Sequence, residues 1–323
     1  MLAFIAQRIG KAVIVLLAIV VLDFFLIRMA PGDPALVMAG EAGAGDQIFL
    51  AQLRDKFGLD QPLPVQLFLY VKGIVSFDLG FSFRQQMPVS KLILDRLPAT
   101  LLLTGTAFVI SLAFGILFGT LAARRAGSWT DTAITVLALI FYATPLFWIA
   151  LMAILLFSVA LDWLPSFGYE TVGANYTGLT HMLDVGAHLI MPATTIGLFF
   201  MATYARMTRA SMLEVKRLDF VKTARAKGLR DAVIQRRHVL RNALLPVVTL
   251  AGLQAGTLVG GAVLTETVFA WPGIGRLMYE ALLQRDYNLL LGVFVVCSAM
   301  VLAFNLITDL IYRSVDPRIE FAA

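Results

Sequence analysis

The chain has 323 residues, 59% hydrophobic and 15% charged, against about 45–50% and about 25% in ordinary soluble domains. With a mean hydropathy of +0.82, the excess apolar material belongs in lipid, which excludes disorder and argues against a soluble globule. A single cysteine, Cys297, and 3 histidines exclude disulfide scaffolds and cysteine-ligated metals, while the net charge of +5 suits either nucleic acid or the basic inner loops of a membrane protein.

In chain order, Ala12–Ile27 is a 16-residue apolar stretch carrying one charge, Asp23. Gly10, Lys11 and Arg28 extend it with snorkelling ends to a first span. Arg8 and Lys11 ahead of Ala12–Leu22 also fit a signal peptide, but Asp23 and Arg28 follow without a clean small-residue cleavage site. Asp23 lies near the outer end, where its carboxylate can reach the interface. From Pro31 to Arg96, helical apolar spacing over Asp46–Phe57, a break at Gly58–Pro64 and resumed spacing over Val65–Val75 predict an extracytoplasmic helical insert. It holds too little apolar material for a core of its own.

Five uncharged windows follow: Leu97–Ala123, Thr132–Leu161, Val185–Ala205, Asn242–Thr265 and Tyr287–Thr308, of 27, 30, 21, 24 and 22 residues. Each is long enough to cross a hydrocarbon core of about 30 Å. Pro145 should kink the third span. Gly115 and Gly119, and again Gly252, Gly256 and Gly260, are spaced to line one helix face and admit a close neighbour. For Gly115 and Gly119 packing within the chain is the simpler reading, whereas the longer Gly252–Gly260 stripe also suits a pore or subunit seam. His181 and His188 read as interface histidines, because no third ligand for a metal accompanies them. His238 reads as a packing or pairing residue, and Asp309 as an anchor of the last span beside Arg313.

Of 26 basic residues, 17 fall before span one, between spans two and three, between spans four and five and after span six. That bias predicts both termini in the cytoplasm. The segment Arg206–Asn242 alone holds 11 basic and 3 acidic residues. Asp219 is placed to cap a helix through Phe220–Lys227, Gly228 to stop it, and Asp231 to cap a second helix running to Arg241. Both ends of this segment run straight into spans, which argues against DNA binding. Attraction to anionic lipid accounts for the charge but not for two capped helices; docking into a partner protein accounts for both.

The run Asp219-Phe220-Val221-Lys222-Thr223-Ala224-Arg225-Ala226-Lys227-Gly228-Leu229, followed by Arg237-His238-Val239-Leu240-Arg241-Asn242-Ala243-Leu244-Leu245-Pro246, resembles the coupling loop of permease subunits of binding-protein-dependent ATP-binding-cassette importers, in their dipeptide, oligopeptide and nickel branch. Arg28 with Pro31-Gly32-Asp33-Pro34, Gly58-Leu59-Asp60-Gln61-Pro62, Asp78-Leu79-Gly80-Phe81-Ser82 and Glu266-Thr267-Val268-Phe269-Ala270-Trp271-Pro272-Gly273-Ile274-Gly275 extend the resemblance, in order, over nearly the whole chain. Lys222 stands where the general pattern has glutamate, 17 residues separate Gly228 from Pro246, and Phe77 replaces a glycine that often precedes Asp78. The first two departures are features of the peptide branch.

The resemblance implies an all-α polytopic membrane protein with six transmembrane helices, a cytoplasmic coupling helix between spans four and five, and an extracytoplasmic insert after span one. Residues 1–96 would form the first span and insert, 97–312 a five-helix core with its coupling loop at 206–242, and 313–323 a short cytoplasmic tail. It implies half of a translocation pathway for di- or oligopeptides in the bacterial inner membrane, a homologous second permease, two cytoplasmic ATPase subunits carrying ATP and magnesium, and an external solute-binding protein. Asp219, Phe220, Lys222, Thr223, Ala224, Arg225, Ala226, Lys227 and Gly228 would couple to the ATPase, and Glu266, Trp271, Pro272 and Gly273 are candidate contacts for the binding protein. No GxxxxGK[ST] loop occurs and no histidine falls near the middle of a span, so the chain is expected to hold no nucleotide site, catalytic residue or cofactor of its own. Alternatives are a nickel or other small-solute permease of the same family and, from a different class, a secondary transporter or channel, although neither internal repeats nor many midplane charges support that class.

Overall fold

The computed structural model describes residues 2–29, 35, 36, 46–82 and 84–315, without the side chains of 2–5, 27, 28, 53, 56, 57, 257–261 and 309–315. The Pro31–Pro34 motif, the Asp309 and Arg313 side chains, the surroundings of Gly260 and residues 316–323 therefore lie outside the described residues. Two compact units emerge, Met1–Thr100 with Pro272–Leu306 and Leu101–Trp271 with Ile307–Ala323.

The first unit opens with α1 (Leu2–Met29). Asp23 is 2% exposed and its Oδ2 has no hydrogen-bond partner among the described residues. This corrects the expectation that it reaches the interface: the same helix face carries buried Val20 and Phe24, and Phe24 packs against Tyr70. Helices α2 (Gln47–Phe57) and α3 (Leu63–Val75) form where the spacing predicts them. The Asp46 carboxylate accepts the Ile48 and Phe49 amides at 3.0 and 3.1 Å, satisfying donors the first turn leaves open. Their small core of Ala35 and Leu50 is completed by Leu291 and Tyr287 from far along the chain, which is how an insert with little apolar material stays packed.

A short hairpin, β1 (Phe81–Ser82) with β2 (Met87–Pro88), follows. The Ser82 hydroxyl donates to the Asp286 carboxylate, whose other oxygen accepts the Leu289 amide at 3.1 Å, and Asn288 Nδ2 donates to the Phe81 carbonyl at 3.2 Å. Helix α4 (Val89–Arg124) starts eight residues before the predicted window and carries Pro98 inside it.

In the second unit the predicted third span, Thr132–Leu161, is not one helix. Helix α5 (Trp129–Ala143) and helix α6 (Leu146–Ala153, widening to a π turn over Ile154–Ala160) meet at a 103° bend. Pro145 lacks an amide and its ring pushes Thr144 out of the helical region, to φ −85, ψ 134. Among the described residues five single helices are long and apolar enough to cross a membrane, six counting this bent pair. Helix α7 (Gly178–Val215) spans 38 residues. Its last ten residues belonged, in the sequence reading, to the Arg206–Arg241 loop; the helix simply continues.

A short helix α8 (Asp219–Ala226) leads to α9 (Asp231–Val233), a π turn over Ile234–Leu240, and α10 (Arg241–Val268) without interruption. The chain closes with α11 (Ile274–Leu283), an amphipathic helix the sequence reading missed, and α12 (Tyr287–Val315). Ile274, Leu277 and Ala281 of α11 share a core with Val89, Ile93, Leu289 and Val293.

Gly115 and Gly119 pack α4 onto α7. A Cβ at Gly119 would lie 2.5 Å from the Ala205 carbonyl oxygen and 2.6 Å from Thr208 Cβ, so no larger residue fits without separating the backbones. Gly252 meets Thr308 of α12, whose hydroxyl donates to the Gly252 carbonyl at 3.1 Å. Gly256 is buried. Intrachain packing thus accounts for Gly252, and the seam reading of that position gives way to it.

Gly119→Ala should cost about 1–3 kcal/mol through this overpacking, lowering the melting temperature of the purified chain. Gly105→Ala, with nothing within 4 Å of its Cβ, should leave it unchanged or raise it. In a Cys297→Ser background, Val172→Cys, 97% exposed ahead of α7, and Glu214→Cys at the helix's far end should react with an impermeant thiol reagent from opposite sides.

Candidate functional site

Helix α8 places two residues inward and the rest outward. Val221 and Ala224, one turn apart, are buried with Ala123, Met212, Ile234, Val239 and Ala243. Phe220, Lys222, Thr223, Arg225, Ala226 and Lys227 are exposed, leaving a cationic face with one aromatic ring. Asp219 is the first helical residue rather than the cap; Leu218 precedes it in extended conformation without a side-chain cap. The carboxylate instead accepts from Lys222 Nζ at 2.8 Å, an exposed pair worth little to stability. Of the predicted set, Ala224 is the member that points into the protein. Arg225 reaches within 3.8 Å of Asp231.

The C-terminus of α8 closes on Gly228. Its amide donates to Arg225 O at 2.9 Å and the Leu229 amide to Ala224 O at 3.3 Å, a crossed pair that requires a left-handed residue between them. Gly228 supplies it at φ +77 with nothing within 4 Å of its would-be Cβ, so backbone conformation alone selects glycine here. Asp231 does not cap a separate second helix, as no side-chain cap is present and the helix runs on into α10. The wide π turn places Ile234 and Val239 in the core under α8.

Three residues that the sequence reading counted only as loop or helix-end charges tie this platform down. Arg209 grips Asp131 with Nε and one terminal nitrogen at 2.6 and 2.8 Å, and the Gly127 amide donates to the same carboxylate at 2.9 Å. Lys216 Nζ donates to the Ala123 carbonyl at the end of α4; burial pushes its ammonium below the usual lysine range. Arg206 lies 4.5 Å over the Tyr142 ring. An acidic residue in the first turn of α5 and arginines one turn apart on α7 were visible in the sequence, but their pairing spans 78 positions.

The second candidate set begins in the last turn of α10 and continues just beyond it. Glu266 and Trp271 are both 0% exposed. Trp271 packs under Tyr169, ring centroids 4.9 Å apart, while the Gly168 amide donates to Phe269 O at 2.9 Å. Both side chains are covered rather than displayed for a binding protein, and for Trp271 burial takes its indole ring out of water. Pro272 is half-buried and Gly273 buried. His181 faces Glu170 at 3.1 Å and His188 faces Asp184 at 3.7 Å, so the two imidazoles serve different carboxylates.

Asp131→Ala should strand the Arg209 guanidinium and destabilise the purified chain by about 3 kcal/mol. Asp131→Ala with Arg209→Met should recover most of the lost melting temperature.

Comparison with known proteins places these features in context. Residues 115–321 match the family described as binding-protein-dependent transport system inner membrane component, and residues 1–104 match the N-terminal region of such membrane components. The dipeptide transport system permease protein DppB of Escherichia coli K12 is 40% identical over 337 aligned positions, covering 99% of each chain. The protein of the same name from Alkalihalophilus pseudofirmus is 38% identical, covering 99% of this chain and all of its own. Among solved structures, an inward-facing form of the MetNI methionine transporter aligns over 70% of this chain and 96% of its own, with TM-score 0.57 and 21% identity, a likeness of fold.

Proposed function

We propose, from the premise that this chain belongs to the family of inner membrane components of binding-protein-dependent transport systems, that it is the peptide permease subunit of an ATP-driven importer. It forms half of a pathway for di- or oligopeptides delivered by an external binding protein. A homologous permease supplies the other half. Two ATPase subunits, which bind ATP and magnesium, attach at the α8 face. Both termini and α8 then lie in the cytoplasm, in keeping with the placement of 17 of 26 basic residues.

The observation that carries the reading is α8 itself. A two-turn helix fastened by Val221 and Ala224, with its other residues turned out and its end fixed by Gly228, is a rigid plug for a groove in another protein. Motion imposed on it passes through the shared core with Met212 and Val239 into α7 and α10. Phe220 supplies an apolar anchor, and Lys222, Arg225 and Lys227 favour an acidic groove.

Gly228→Val forces a β-branched residue into a left-handed conformation, at a cost of about 1–3 kcal/mol. Membrane expression should stay near normal, while labelled dipeptide uptake by proteoliposomes of the whole complex falls or separates from ATP hydrolysis. Gly228→Asn, which tolerates the left-handed region, should retain most uptake. Wild-type uptake by Gly228→Val, with intact complex yield, would falsify the coupling role of this turn.

A further inference from the structure

The break in the third span exposes a stretch of backbone that hydrocarbon does not tolerate. Pro145 lies near the middle of the uncharged Thr132–Leu161 window and has no amide to give the Phe141 carbonyl. Freed backbone groups at that depth persist only inside protein or beside a water-filled cavity. Tyr142, Ala143 and Pro145 are nevertheless exposed in the single chain, so a further protein wall or water lies against them.

The facing helix carries a matching signal. Helix α7 is packed by α4, α5, α6 and α10, and a strip it leaves partly open runs through Phe199, Thr203, Arg206 and Ala210, spaced to share one side. Phe199 stacks on the Tyr142 ring with centroids 6.0 Å apart, and Arg206 lies 4.5 Å over the same ring. Tyr142 stands eleven residues beyond Asp131, about 16 Å of helix, whereas the partner of Asp131 is Arg209, three residues past Arg206. Arg206 therefore leans from the charged end of α7 into the span, along the direction its Cα–Cβ bond imposes and opposite to the course of a snorkelling side chain. A cation turned inward in this way marks a wet, protein-lined space rather than lipid.

The guanidinium is free to take an anion. Asp131 fills the fork of Arg209, but among the described residues no carboxylate pairs with Arg206, whose contact is the ring. A ring face meets the positive charge and leaves the N–H edge open. Peptides of any sequence share a C-terminal carboxylate, which such a fork binds in paired hydrogen bonds. We propose, resting on the reading of this chain as a peptide permease, that Arg206, steadied by Tyr142, is a binding station on the translocation path for the C-terminal carboxylate of the passing peptide. One open fork holds that group briefly, as passage requires, and leaves the peptide's side chains unread.

The test uses the complete complex in proteoliposomes, with the binding protein saturated by a labelled dipeptide so that selection upstream is constant. Maximal uptake should fall in the order wild type, Arg206→Lys, Arg206→Gln, Arg206→Glu, with a loss of about tenfold for glutamine at normal complex yield. Arg124→Gln, the same change in charge at the end of α4, should leave uptake unchanged. A dipeptide bearing a diazirine on its C-terminal residue should crosslink during turnover to Tyr142 or to the Phe199–Arg206 strip, and Arg206→Gln should remove most of that label. If Arg206→Gln does not fold, Arg206→Lys, which keeps the charge and loses the fork, decides by an intermediate rate. Wild-type uptake by either variant, equal loss in the glutamine and glutamate variants, or crosslinks confined to other segments would each overturn the proposal and leave the permease reading intact. Loss of the second permease from the purified Arg206→Gln complex would also overturn it, assigning the guanidinium to an acidic side chain of that subunit. Absence of peptide uptake by the wild-type complex would overturn the permease reading and this station with it.

Discussion

In lipid, apolar burial gives one helix no reason to prefer another helix over an acyl chain, so association depends on how closely two backbones can approach. In the second unit that constraint falls on α7. Gly115 and Gly119 let α4 come within backbone contact of Tyr204, Ala205 and Thr208. Gly197 makes the reverse concession, admitting Ile110 from α4. With both helices hollowed at matching heights, the pair acts as a single stiff body, and α5, α6 and α10 pack on α7 in turn.

Everything argued about coupling depends on that stiffness. Helix α8 is only eight residues long, too short to persist alone in water. It holds its shape because Val221 and Ala224 share a core with Met212 near the end of α7, with Val239 in the π turn and with Ala243 at the start of α10. The Asp131–Arg209 fork and the Lys216 bond to Ala123 close the remaining freedom at the ends of α4, α5 and α7. Movement of α8 relative to these helices would uncover Val221 and Ala224, so the economical response to a force on α8 is motion of α7 and α10 with it.

The first unit solves a different problem, that of ordering a polar insert with little core. It does so with long-range contacts to the start of α12: Ser82 to Asp286, Asn288 to Phe81, and Leu291 among Leu50 and Tyr70. The Asp78–Ser82 motif is explained by this clasp. Gly80 bends the strand into the hairpin at φ +89 beside Asn288, and Ser82 provides the hydroxyl that Asp286 accepts.

How far the sequence alone reached follows from the range of each interaction. Apolar windows, the helical spacing over Asp46–Phe57, the Gly228 stop and the glycine spacing on α4 were legible because each depends on residues within a turn or two of one another, where composition and backbone conformation decide. The break at Pro145 was read as a kink, since proline announces that a helix must bend but the angle, 103°, depends on what the two halves pack against. The capping roles of Asp219 and Asp231 were misjudged, and the burial of Glu266 and Trp271 was not foreseen, for a related reason. Local propensity ranks what a residue can do, whereas burial against distant partners such as Tyr169 decides what it does. The Asp131–Arg209 fork and the Ser82–Asp286 clasp belonged to the tertiary structure alone, because pairing across many tens of residues leaves no periodic trace in a single chain.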